Sequence, residues 1–120
     1  MKHKYLHELF PNGNMPFPYS EEDYHDFDAR DTFNMDHTLI MWLYQCLRFF
    51  EEHASKVVNF NYHKFYIDGE ELTQMQCIHR MVDDCAVIIK SDEFEEMEKI
   101  DAAKDDLFKV LNKVYWAMWW

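Results

Sequence analysis

The sequence predicts an all-α fold: three long helices in a bundle, an irregular N-terminal strap, and a loop or short strand at 55–69. Three observations carry this. Of the 120 residues, 48% are apolar and 18% aromatic, which is enough for a core in one helical domain, 1–120. Only two glycines and three prolines are present, too few for a fold built on many tight turns. Apolar residues recur at three- and four-residue spacing over three long stretches.

The first stretch, residues 34–54, reads as the central helix. Leu39, Trp42, Leu43, Cys46, Leu47 and Phe50 share one side of it, and Met41, Tyr44 and Phe49 widen the apolar surface. Asp31, Thr32 and Asn34 are each able to cap its free N–H groups. Ahead of it, residues 2–9 fit a short helix ended by Pro11, and 11–20 hold all three prolines and read as a strap. Residues 20–31 fit a second short helix with acids in its first turn. After the central helix, Phe60 and Tyr62 alternate with Asn59, Asn61 and His63 as a half-exposed strand would, with no evident hairpin partner.

Asp68 with Glu71 three residues later has the spacing of a capping box, so the next helix is expected to open there. Leu72, Met75, Ile78, Val82, Cys85 and Ile89 form its stripe. Ser91 is the expected cap of the last helix, and Phe94, Met97, Ile100, Leu107, Leu111, Val114 and Met118 carry it to the C-terminus. Trp42 and Trp116 are assigned to the core; Trp119 and Trp120 pack under the strap or form a contact between copies. The three cysteines, Cys46, Cys77 and Cys85, fall on apolar faces and read as reduced, buried thiols.

The net charge of −11 disfavours direct binding of nucleic acid or of an anionic membrane. No apolar run is long enough to span a bilayer, and the N-terminus lacks the apolar region of a secretory signal. A basic protein surface is the partner that such a charge favours, with a homo-oligomer as an open alternative.

Three groups of residues offer chemistry. The acids of the last helix, Asp92, Glu93, Glu95, Glu96, Glu98, Asp101 and Asp105, with Asp106 beyond them, form either a contact surface for a basic partner or a solvated face. His79 and Asp83, four apart on one helix with Asp84 beside them, are a candidate metal set that Asp36 and His37 would complete. Paired Glu-x-x-His motifs are missing, and a solvated polar face explains the same residues. A nucleotide ligand would need phosphate contacts from Arg48, Lys56, Lys64 or Arg80 and stacking on Tyr115 or Trp119. No Gly-x-Ser-x-Gly and no phosphate loop is present, so no catalytic residue is assigned and no cofactor is expected.

Residues 31–36, Asp-Thr-Phe-Asn-Met-Asp, followed by an apolar helix, resemble the Asp-Thr-Trp-(Ser/Asn)-Leu-Asp motif of a group of small bacteriophage proteins. Glu70 to Ile89 is similar to their middle helix, and Leu107-Phe108 with Trp116 to Trp120 to their Trp-rich ending. Phe33 replaces the usual Trp and Met35 the usual Leu. The resemblance covers roughly residues 24–120 and implies a phage origin and the cytoplasm of a bacterial host. It implies no activity. Joined to the charge, it leads to an expected accessory protein that binds and inhibits a host protein, an anti-defence inhibitor whose acids take the place of phosphates in a basic groove. The alternatives are a sponge for a nucleotide immune signal and a metal-dependent enzyme acting on nucleotides through His79 and Asp83.

Overall fold

A computed structural model describes residues 32–120. The expected strap at 11–20 and the short helices at 2–9 and 20–31 lie outside the described residues, as does Asp31. The chain divides after Leu39 into two units. The first contributes to the described part only residues 32–39, where the Thr38 N–H closes the first helical turn onto the Asn34 carbonyl at 2.9 Å.

The described elements are α1 (Met35–Ala54), β1 (Lys64–Ile67), β2 (Glu70–Thr73), α2 (Gln74–Lys90) and α3 (Met97–Val114), followed by a 3₁₀ turn, Tyr115–Ala117. The fold is therefore not all-α: an antiparallel hairpin sits between the first and second helices, with Phe65 opposite Leu72 and Tyr66 opposite Glu71. Asp68-Gly69 makes the hairpin rather than a helix cap. Both residues have positive φ, 55° and 77°, and a two-residue turn of that kind matches the right-handed twist of the strands. Phe65, Ile67 and Leu72 then fall on the buried face. On the exposed side the Tyr66 hydroxyl donates to Glu71 at 2.8 Å, which holds the phenol above its ordinary pKa.

β2 runs straight into α2. Thr73 caps the helix, its hydroxyl accepting from the Gln76 N–H at 3.1 Å while the Gln76 side chain accepts from the Thr73 N–H at 2.8 Å. The capping box expected at Asp68 and Glu71 lies five residues on. The last helix is likewise shorter than expected. Asp92 Oδ1 accepts from the N–H groups of Phe94 and Glu95, the Glu96 carboxylate accepts from the Asp92 N–H, and α3 begins only after this turn. Phe94, expected on the apolar stripe, is 95% exposed.

In Ile40–Trp120 the closest helix pair is α2 with α3, which interlock through Cys77, Ile78, Met81 and Cys85 on one side and Leu107, Val110 and Val114 on the other. From α1, Ile40, Leu47 and Ala54 reach this core, with Leu43 and Phe50 partly buried against it. Trp42 and Trp116, expected in the core, are both 61% exposed. Cys46 is also exposed, whereas Cys77 and Cys85 are buried; all three are free thiols. Phe33 is exposed too.

Candidate functional site

The acidic stretch forms where the turn at 92–96 feeds α3. Its cations are already committed: Lys99 pairs with Glu96 at 3.3 Å, and Lys104 lies 3.8 Å from Asp101 and 3.6 Å from Asp105. The Glu96 carboxylate is held below its usual range by the Asp92 N–H and then by Lys99. Asp92 is spent on the turn's N–H groups. The carboxylates of Glu93, Glu95 and Glu98 are exposed and pair with no cation among the described residues. They leave a concentrated negative surface at the positive end of α3, whose dipole partly offsets their mutual repulsion.

A second cluster joins the hairpin turn to α2 and α3. Arg80 donates from Nε to Asp106 Oδ2 at 2.9 Å, from Nη2 to Asp106 Oδ1, and from Nη2 to Asp68 Oδ2 at 2.9 Å. Lys109 grips both Asp68 oxygens at 2.8 and 2.9 Å. Lys109 and then Arg80 hold the Asp68 carboxyl below its ordinary pKa; Asp106 is depressed too, chiefly by Arg80. Asp84 behaves oppositely. Burial and then its hydrogen bond with Asp106 push it up to about 8. As a carboxylate its buried Oδ2 has no donor to accept from. As a neutral acid it donates to Asp106, and the conflict disappears.

Of the residues expected to hold a metal, His79 and Asp83 stay together and Asp84 does not join them. His79 and Asp83 line a polar cavity of about 660 Å³ between α1 and α2, with Arg48, Glu51 and Ser55. Asp84 is engaged with Asp106 instead. Glu51, which sequence spacing had no means of finding, meets His79 Nε2 at 2.7 Å across 28 residues of chain. Among the described residues no group of three or more His, Cys, Asp or Glu side chains is placed to hold a metal ion. The expected nucleotide contacts are dispersed as well. Arg80 is locked in its ion pairs, Arg48 lies over the Tyr44 ring at 5.5 Å, and Tyr115 with Trp119 lines a different depression.

That depression is a groove of about 840 Å³ between α1 and the C-terminal turn. Trp42, Cys46 and Phe49 form one wall, and Trp116, Trp119 and Trp120 the other. Phe49 and Trp120 approach to 6.5 Å between ring centroids, and Trp116 leans on His63 and Phe65 at 5.1 and 6.0 Å. Among the described residues no charged side chain lines it.

Comparison with protein-family models, with curated proteins and with solved structures gives no match. No helix among the described residues is long and apolar enough to cross a membrane.

Proposed function

We propose that this is a non-enzymatic binding protein, phage-encoded, that inhibits a host protein by docking on its basic surface through the acids around the start of α3. The observation that carries the reading is the trio Glu93, Glu95 and Glu98, unpaired among the described residues and exposed beside lysines already neutralised by other acids. Local charge matters here more than the net value of −11, because only uncompensated carboxylates gain strongly from a cationic groove. A nucleic-acid-binding host enzyme, such as a defence nuclease, offers such a groove, and the carboxylates of the turn that leads into α3, with Glu98 in its first turn, would stand in for phosphates there.

The test is affinity capture from bacterial lysate with the wild-type chain and with the Glu93→Lys/Glu95→Lys/Glu98→Lys variant. These positions are exposed, so the variant is expected to keep the fold. The expected result is a partner retained by the wild type at low salt, weakened by added salt, and lost with the triple variant. A partner captured equally by both chains removes the acidic surface from the mechanism.

A further inference from the structure

The C-terminal wall of the aromatic groove is tied down from below. Gln74, fully buried where β2 turns into α2, donates from Nε2 to the Ala117 carbonyl at 2.9 Å. Ala117 is itself buried, so the turn is fixed to the core while its neighbours Trp116, Trp119 and Trp120 stay largely exposed. A wall held in this way has little freedom left to lose when something packs on it, which favours association. Trp42 and Phe49 stand on the facing wall and Tyr115 lines the same groove. All six aromatic side chains are between 57% and 75% exposed.

An aromatic side chain buries about 150–250 Å² when fully covered, so the open remainder of these six is roughly 750 Å². One partner of a stable protein–protein interface contributes about 800 Å². We propose that the groove is the contact face of a homodimer, in which two copies meet about a twofold axis and the Trp119–Trp120 edge of each seats in the groove of the other. A twofold contact uses the same patch on both copies, and this patch supplies both an aromatic edge and an aromatic trough. Charge selects the same occupant. With a net charge of −11, two copies repel wherever acids face acids. Among the described residues no charged side chain lines this face, so two copies meet here without opposing or stranding a carboxylate. Its polar side chains, Gln45 and Tyr115, are neutral and each both donates and accepts, so a copy of the same face can satisfy them. Glu93, Glu95 and Glu98 do not line the groove, so the dimer stands or falls separately from the acidic docking surface.

The test is sedimentation velocity of the full chain from about 1 to 100 µM. Interfaces of this size hold at micromolar concentration or below, so the dimer should predominate at the upper end. Added salt should leave it intact or strengthen it, because salt screens the repulsion between two acidic copies. Trp119→Ser/Trp120→Ser on one wall and Trp42→Ser on the other change exposed positions, and each variant should weaken the dimer at least about thirtyfold. In the wild type, Cys46 lines the groove, so its rate of reaction with excess maleimide should fall several-fold as the dimer forms. A monomer at about 100 µM, a dimer that salt dissociates, a dimer indifferent to the substitutions, or a Cys46 rate that does not follow dimer formation overturns the proposal. The Cys46 reading is taken on the wild type and holds whether or not the variants fold.

Discussion

Replacing Asp84 by asparagine isolates the carboxyl pair between α2 and α3. Asp84 sits in the folded chain at about 8, against 3.8 for the free group, so between those values the folded state holds a proton that the unfolded state has released. Stability contributed by Asp84 is therefore complete at low pH and is lost as pH rises towards 8. From pH 3.8 to pH 7 this integrates to about 4 kcal/mol without screening. The pair is not sealed from water, since the Asp106 side chain is 20% exposed, and screening brings the figure to about 2 kcal/mol. The asparagine side chain has no charge to develop, and its Nδ2 can donate to Asp106 as the neutral acid does. Asp84→Asn should thus match the wild type near pH 4 and exceed it by about 2 kcal/mol at pH 7. Urea unfolding followed by tryptophan fluorescence, repeated from pH 4 to 8, measures this. Mutual repulsion of the other acids tilts both curves alike, so the difference between them is the readout. Parallel curves, or a variant less stable than the wild type at pH 7, would refute the protonated pair.

Two further predictions concern the hairpin and its junction with α2. Thr73→Ala removes the hydroxyl that accepts from the Gln76 N–H and should cost about 1 kcal/mol by urea unfolding, with Thr73→Ser restoring most of it. Gly69→Ala meets no atom within 4 Å, yet its φ of +77° is disfavoured for an L side chain, so it should cost about 1 kcal/mol from backbone alone; an unchanged urea midpoint would show that the turn has relaxed.

How much of this was legible in the sequence depends on which interactions were local. The span of α1, Met35–Ala54, follows from its apolar spacing and polar start. The hairpin was legible too, but it competed with another local reading. Asp68 and Glu71 have capping-box spacing, whereas Asp-Gly between Tyr66-Ile67 and Glu70-Glu71 is a hairpin turn, and the alternation of Phe65 and Ile67 with exposed neighbours decides for the turn. The exposure of Trp42 and Trp116 was not legible, because residue type reports the benefit of burial and not whether a partner surface is present. Of the candidate sites, the acids at 92–98 were visible as a run. Which of them remain unpaired depends on where Lys99 and Lys104 reach. The Asp84–Asp106 pair and the Gln74–Ala117 bond join residues on different elements, 22 and 43 positions apart, and no periodicity encodes them.

The contrast among the three thiols has a practical consequence. Cys77 and Cys85 are buried, and burial raises both thiols, Cys85 to about 11, so neither supplies much thiolate near neutral pH. Cys46 alone is exposed, on the wall of the aromatic groove beside Trp42 and Phe49. A maleimide dye added to the native protein should therefore attach at a single position, with tryptophans near enough to quench it. The unmodified chain carries its own attachment point for an optical sensor: whatever fills the groove would displace the dye and change its brightness, and denaturation before labelling would raise the stoichiometry from one dye to three.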